Sequence, residues 1–300
     1  MILTDSVSLS MDSRKTRRNN NILVIGGSGS GKTRFMIKPN ILQANVSFVI
    51  TDPKGEILES EGEMLRKYGY QIKVFNLTDM KHSNSYNPFQ YIRDDLGVLM
   101  LVNCLIKNTN NGQKGGDPFW EKSETTLLEA LIFYTRESEE TPPEKKNFTQ
   151  VLELLNMAQV DENNPDKPSE LDLRFQKFEK KHPTSPAVSA YKTFKLGAGK
   201  TLKSILISAA VRLQTFNLQD VANLTMQDNL ELKAMGDRKT ALFVVIPAAD
   251  DTYNFLVSMM YSQLFETLYY RAENECKDEY WIKSGNDILA IVGKNARGDK

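Results

Sequence analysis

The sequence predicts an α/β protein with a mostly parallel sheet and an inserted all-helical domain. Three observations lead to this fold class. A short apolar strand pattern runs directly into a glycine-rich loop and a helical pattern, which is typical of a βα unit. Up to residue 91, strand and helix patterns then alternate as β-α-β-α-β, the order of a parallel sheet. Between 92 and 200, the periodic stretches all have helical spacing.

The composition is that of an ordinary globular chain. It has 300 residues, of which 40% are hydrophobic and 25% charged, and 38 Lys and Arg balance 38 Asp and Glu. Zero net charge excludes a global basic field, so nucleic acid would have to contact local patches. Two cysteines and two histidines show no disulfide or metal-site spacing. Without a signal peptide or a long apolar run, we expect a soluble chain or a soluble part of a longer one.

The first strand pattern, Ile22–Ile25, is followed by a complete phosphate-binding motif, G-x-x-x-x-G-K-[ST]. Glycines let backbone N–H groups turn inward around a phosphate, because no Cβ blocks a positive φ or a close approach. We expect Lys32 to reach the β- and γ-phosphates of ATP and the Thr33 hydroxyl to bind Mg²⁺. The predicted nucleotide-binding residues of this loop are Gly26, Gly27, Ser28, Gly29, Ser30, Gly31, Lys32 and Thr33.

The next strand pattern, Val46–Thr51, ends in the charged segment Asp52-Pro53-Lys54-Gly55-Glu56. Open α/β sheets bind their ligands at the carboxyl ends of strands, so Asp52 and Lys54 could lie near the phosphates. A charged turn without a ligand is the alternative, and the residues alone favour neither. A helix over Ile57–Lys67 and a third strand over Gln71–Phe75 follow, while Pro39 marks a break or kink after the loop helix.

Two aromatic residues and one basic cluster allow both structural and functional interpretations. Phe119 and Trp120 begin a strong helical pattern and could stack on bases, but large aromatics on a helix favour a core position. The polar segment 1–20, with its basic cluster Arg14–Arg18, is interpreted as a solvated lead-in rather than a phosphate or nucleic-acid contact.

The clearest later strand is Lys239–Pro247, followed by a helix over Tyr253–Glu273. Asp250 and Asp251 could be the acids of a Walker B motif, but Pro247 and two alanines separate them from the strand. We therefore favour a cap for the helix. A last strand is expected over Asp287–Val292, with no acid after it.

With these motifs, the sequence resembles the TraG-like conjugal-transfer ATPases, the coupling proteins of type IV secretion systems, over roughly residues 1–272. The combination of T-D-P-K-G-E with the phosphate loop is more specific than the loop alone. The stretches that carry the resemblance are Ser13–Thr33, Phe48–Glu56, Ser85–Phe89, Lys200–Leu213 and Ala241–Phe255.

The resemblance implies a RecA-like nucleotide-binding domain in two parts, 1–91 and 201–275, around an all-helical insertion at 92–200, with an atypical tail at 276–300. It implies ATP and Mg²⁺ as cofactors, and a hexameric ring that drives single-stranded DNA and its relaxosome proteins into a secretion channel. Such a protein would act in the cytoplasm, at the inner face of the plasma membrane. It also places Asp52, Lys54 and Glu56 beside the nucleotide or a subunit interface.

Two departures from the family change the expected activity. Members usually begin with transmembrane helices and carry a later strand ending in Asp-Glu, and neither pattern is found here. The tail resembles a cut or frameshifted end, so we expect nucleotide binding with poor hydrolysis. The alternatives are a catalytically silent module that binds nucleic acid or relaxosome proteins, and a P-loop kinase or switch, which the arginine-poor insertion disfavours. No catalytic residue is predicted.

Overall fold

A computed structural model describes residues 1–17, 20–109, 118–158, 167–197, 199–247, 251–275 and 288–291. The described chain contains eleven α-helices and four β-strands. The helices are α1 (Ser13–Thr16), α2 (Lys38–Leu42), α3 (Glu56–Lys67), α4 (Asp95–Thr109), α5 (Pro118–Glu137), α6 (Phe148–Asn156), α7 (Glu170–Lys181), α8 (Pro186–Lys195), α9 (Gly199–Leu213), α10 (Gln219–Met226) and α11 (Asn254–Tyr270). The strands are β1 (Ser47–Thr51), β2 (Gln71–Asn76), β3 (Thr240–Val245) and β4 (Ile288–Ile291).

Short non-α helices complete the secondary structure. Five 3-10 helices span Met80–His82, Pro88–Tyr91, Pro143–Lys145, Gln214–Asn217 and Leu232–Gly236 within the described ranges, and two π-helices span Thr33–Ile37 and Arg271–Glu275. The chain forms two compact units. The first comprises Met1–Thr78, Glu231–Asp250 and Leu268–Lys300, and the second comprises Asp79–Leu230 and Asp251–Thr267.

The first unit is built on a four-stranded sheet in the order β2-β3-β1-β4, and its described pairings are all parallel. β1 and β3 are buried along their whole length, as the near-continuous apolar sequence of an inner parallel strand requires. α3 packs a buried stripe that includes Ile57 and Leu65 into the same core as Phe48 and Phe243. The structure therefore confirms three predicted strands and one predicted helix. The strands are those predicted from Val46, Gln71 and Lys239 onward, and the helix is the one ending at Lys67.

Tyr70, directly before β2, is the polar group of this core. Its ring stacks on Phe48 with centroids 5.7 Å apart, and its hydroxyl donates a 2.6 Å hydrogen bond to the Val46 carbonyl. Burial raises the pKa of Tyr70 to about 12, although the backbone contact at Val46 opposes this shift. The phenol therefore remains neutral and acts as a hydrogen-bond donor in the core.

The prediction of a buried strand at Ile22–Ile25 is wrong. These residues lie outside the sheet, and Leu23 and Ile25 are 85% and 86% exposed. The predicted last strand, in contrast, is present as β4, and it pairs with the edge of β1 opposite β3, with Leu289 beside Phe48. Both edges of β1 are therefore occupied. An apolar strand pattern specifies a strand only where a partner edge is available.

The second unit contains the predicted helical stretch 92–200 and extends on both sides of it. No strand occurs among the described residues of that stretch, as expected. α5 packs against α4, α8 and α9. Phe119 and Trp120, for which the sequence favours a core position, are about half exposed, because they occupy the first turn of α5, ahead of its buried residues from Glu124 onward. Among the described residues, no helix combines the length and apolarity needed to cross a lipid bilayer.

Candidate nucleotide-binding site

The phosphate-loop motif forms a turn that only glycines accommodate. Gly29 and Gly31 have φ angles of +74° and +82°, in the left-handed region that side chains disfavour. An added Cβ would also lie 2.6 Å from Ser30 Oγ at Gly26, and 2.4 Å from Phe35 Cδ2 at Gly31. A side chain at Gly26 or Gly31 would therefore have to displace the side chain of Ser30 or Phe35. The main-chain N–H groups of the loop are the elements that bind phosphate in such a motif.

Lys32 lies over the start of this loop. Its ammonium Nζ donates hydrogen bonds of 2.6 Å and 2.7 Å to the main-chain carbonyls of Gly26 and Gly27. The Phe35 N–H donates to the Gly31 carbonyl at 2.8 Å, which begins the helix that follows the loop. A positive side chain and the positive end of a helix thus converge on the same exposed turn, an arrangement that attracts an anion.

Thr33 is the first residue of the π-helix Thr33–Ile37, which continues directly into α2. Of the predicted break or kink at Pro39, the break is wrong, because Pro39 lies in the first turn of α2 and the chain remains helical across it, while the kink stays a prediction. Pro39 has no N–H to donate to the carbonyl four residues earlier, and it lies directly after the joint between the π-helix and α2.

Asn40 fastens the N-terminus to this helix. Its buried amide accepts a hydrogen bond from the Ile2 N–H at 2.8 Å, and donates to the carbonyls of Ile2 and Met36 at 2.7 Å each. Residues 1–9 form a hairpin, which we call the N-terminal hairpin, with an antiparallel bridge between Ile2 and Ser8. Residues 4–10 are exposed, as the interpretation of a solvated lead-in expects, but the hairpin gives the segment a defined structure that the sequence does not predict. The only signal in the sequence is a single Asn in a helix, which does not identify its partner.

The basic cluster after the hairpin behaves as expected over its described part. Lys15 is exposed and forms a 3.5 Å ion pair with Asp12 in the same short turn. Arg18, the last member of the cluster, lies outside the described residues.

Asp52 caps α3. Its Oδ2 accepts hydrogen bonds from the N–H groups of Ile57 and Leu58, both at 2.9 Å, and the carboxylate is buried. Lys54 is exposed and lies 3.6 Å from the carboxylate of Glu56. The contacts of Asp52 therefore give it a structural role at the end of β1, and its role at the nucleotide stays a prediction, as does that of Lys54.

Asp251, the described one of the two acids predicted to cap α11, does not occupy the capping position. α11 begins at Asn254, whose N–H donates to the main-chain carbonyl of Asp251 at 3.0 Å, so Asp251 lies before the capping position. Asp250 lies outside the described residues. The described residues include no group of three or more His, Cys, Asp or Glu side chains that could hold a metal ion.

Comparisons with known proteins identify the family and the fold of the chain. The family model for conjugative DNA transfer in the type IV secretory system matches residues 3–281. No curated protein matches the chain. Among solved structures, plasmid coupling protein TrwB in complex with the non-hydrolysable ATP analogue ADPNP has a TM-score of 0.58 at 14% identity, covering 90% of this chain and 55% of that one. TrwB in complex with ADP and Mg²⁺ has a TM-score of 0.53 at 14% identity, with coverages of 81% and 51%.

The chain spans about half the length of these TrwB structures. Their similarity establishes the fold, a RecA-like P-loop NTPase, which agrees with the parallel sheet and with the loop at Gly26–Thr33. The family model covers well over half of the chain. The protein therefore belongs to the conjugative DNA transfer family of the type IV secretory system.

Proposed function

We propose that the chain binds ATP with Mg²⁺ at Gly26–Thr33, as a nucleotide-binding subunit of a conjugative DNA-transfer motor. The observation that carries this proposal is the loop itself, in which two positive-φ glycines and Lys32 surround one turn at a helix start. The titles of the TrwB structures, which name ADP with Mg²⁺ and ADPNP, support the same ligand class.

Each residue of the loop has a defined task in this proposal. Main-chain N–H groups of residues 26–33 surround the phosphates, and Lys32 exchanges its two carbonyl contacts for the β- and γ-phosphates. The Thr33 hydroxyl is a ligand of Mg²⁺, which neutralises phosphate charge when bound. Asp52 holds α3 in place behind the T-D-P-K-G-E turn, from which the exposed Lys54 reaches the nucleotide or a neighbouring subunit.

Hydrolysis by this chain is slow in our proposal. Efficient turnover needs a carboxylate that orients the attacking water and supports the metal. In the sequence, β3 is followed by Ile246, Pro247 and two alanines, and β4 by Val292, Gly293 and Lys294, so neither strand ends in an Asp-Glu pair. The acid at the end of β1, Asp52, is already bonded to two N–H groups of α3.

Calorimetric titration of the purified chain with MgATP, together with a phosphate-release assay, tests both parts. We expect saturable binding that Lys32→Ala abolishes, and turnover close to that of the Lys32→Ala variant. Lys15→Ala is the matched control, since Lys15 is an exposed lysine outside the loop. Absence of MgATP binding by the wild-type chain would refute the nucleotide proposal, and steady turnover that Lys32→Ala removes would refute slow hydrolysis.

For the partners, we propose single-stranded DNA, relaxosome proteins and the type IV secretion channel, with the whole protein acting as a hexamer at the inner face of the plasma membrane. Membership of the family supports this set. A silent nucleic-acid-binding module is the second candidate, and the exposed Phe119–Trp120 pair, with ring centroids 5.5 Å apart, favours it. The affinity for single-stranded DNA, measured across salt with and without ATP for the wild type and for Trp120→Ala, separates the two. ATP changes the DNA affinity of a motor subunit and leaves that of a silent module unchanged.

A further inference from the structure

An open groove of about 780 Å³ lies beside the phosphate loop in the first unit. The N-terminal hairpin, from Ile2 to Ser8, forms one side of it, and Arg34, Phe35 and Pro39 form the other. The Asn40 amide fixes the hairpin to the helix that carries these three residues, so the groove has a defined wall on each side.

The groove opens where the phosphate loop ends. Arg34 and Phe35 directly follow Thr33, and the Phe35 ring lies against Gly31, as the 2.4 Å separation from a Cβ built there shows. The ring is 65% exposed, with the Arg34 guanidinium carbon 5.5 Å from its centroid. A flat apolar surface and a cation are thus presented next to the end of the phosphate loop at Gly31.

We propose that this groove holds the nucleoside part of the bound nucleotide, with the base stacked on Phe35 and flanked by Arg34. This inference rests on the proposed nucleotide-binding function. The volume suits a ligand of this size, and aromatic rings and guanidinium groups stack on bases. Phosphates in the loop would leave the attached nucleoside within reach of the first turn of the following helix.

The same groove predicts tolerance of different bases. On the hairpin side, the Thr4 hydroxyl oxygen already accepts hydrogen bonds from the N–H groups of Ser6 and Val7, and the Val7 carbonyl accepts from Leu3. These two groups are used within the hairpin, and among the hairpin residues that line the groove Asp5 alone carries a charged side chain. Stacking alone discriminates little between different bases, because every base presents a π-face.

Titration calorimetry on the full chain tests this inference, with MgADP and Mg-tripolyphosphate as probes with and without a nucleoside. Phe35→Ala should weaken MgADP binding about 5- to 100-fold and leave tripolyphosphate within about twofold, while Phe35→Tyr retains both. Ser6→Trp fills the groove from the hairpin side and should weaken MgADP only. Ser10→Trp is its matched control, since Ser10 is exposed and does not line the groove.

Equal losses of both probes in Phe35→Ala would show that Phe35 acts on the loop, and would overturn the inference. So would equal behaviour of Ser6→Trp and Ser10→Trp, or wild-type binding of tripolyphosphate as tight as that of MgADP. MgGDP binding within about tenfold of MgADP supports base tolerance, and a hundredfold preference refutes it. Failure of the wild-type chain to bind either probe would instead refute the nucleotide-binding proposal itself.

Discussion

A buried ion pair joins three helices of the second unit. Arg212 Nε and Nη2 donate to the two carboxylate oxygens of Glu124 at 2.6 Å and 3.0 Å, and Ser208 Oγ donates to the same carboxylate at 3.0 Å. Arg212 Nη1 also donates to the Ile106 carbonyl at 3.2 Å and to the Thr109 hydroxyl. The side chains of Arg212 and Glu124 are only 11% and 3% exposed. The pair thus connects α4, α5 and α9.

The variant Arg212→Met should be strongly destabilising, because it leaves the Glu124 carboxylate buried with Ser208 as its remaining hydrogen-bond donor in this cluster. Breaking one side of a buried pair costs about 3–5 kcal/mol of unfolding free energy. Removing both charges in Glu124→Leu/Arg212→Met should restore the stability to within about 1 kcal/mol of wild type, since apolar replacements of such pairs are often neutral. Arg174→Met breaks an exposed pair with Glu170 and should cost about 0.5 kcal/mol or less.

Urea unfolding followed by intrinsic fluorescence measures these differences. With a slope of about 2 kcal/mol per molar urea, Arg212→Met should lower the midpoint by about 1.5–2.5 M. A shift no larger than that of Arg174→Met would show that the pair contributes nothing to stability. If the double variant were as unstable as Arg212→Met, the loss would come from packing around the arginine and not from the unpaired carboxylate.

Three further changes have defined outcomes in the same unfolding assay or as a function of pH. Gly31→Ala should cost about 1–2 kcal/mol because of its positive φ, while Gly27→Ala, with nothing within 4 Å of its Cβ, should be close to neutral. Asp52→Ala should cost about 0.5–2 kcal/mol, because α3 loses its cap. Burial raises the pKa of Asp172, but hydrogen bonds from Ser169, Lys195 and Tyr191 outweigh it, so the net shift is downward. The folded pKa lies below the unfolded value of about 3.9, so this stabilisation is present above that value and is lost as the pH falls through the folded pKa. Asp172→Asn should flatten the acid limb of a stability–pH profile.

The parts of the fold that the sequence predicts are those with a local cause. β1 and β3 are apolar along their length, and α3 has an apolar stripe among charged residues, so each pattern specifies its element without reference to the rest of the chain. Ile22–Ile25 has the same apolar character but no sheet partner, because pairing depends on an edge supplied by a distant segment. β4, from Ile288 onward, occupies the edge of β1 opposite β3.

The candidate site divides in the same way. The position of the phosphate-loop motif could be predicted, because Gly29 and Gly31 adopt the positive φ that such a turn requires, while the nucleotide contacts of its residues stay predictions. The groove beside it could not, since it depends on Asn40 contacting Ile2, 38 residues away. Asp52 could not be assigned either, because a carboxylate at a strand end serves equally to cap a helix or to face a ligand. Only the 2.9 Å contacts with Ile57 and Leu58 reveal the capping role.

The position of Ile22–Ile25 outside the sheet changes how a Lys32 variant should be interpreted. No strand hydrogen bonds hold the chain just before the loop, and the Lys32 ammonium is bonded to the carbonyls of Gly26 and Gly27. Lys32 therefore stabilises the loop in addition to the phosphate contact that we propose for it, and Lys32→Ala removes both contributions. Lys32→Arg keeps the charge and N–H donors but changes their geometry. If Lys32→Arg retains tripolyphosphate binding and Lys32→Ala does not, a cationic donor at this position is sufficient. If both lose it, the loop needs the compact ammonium between its two carbonyls.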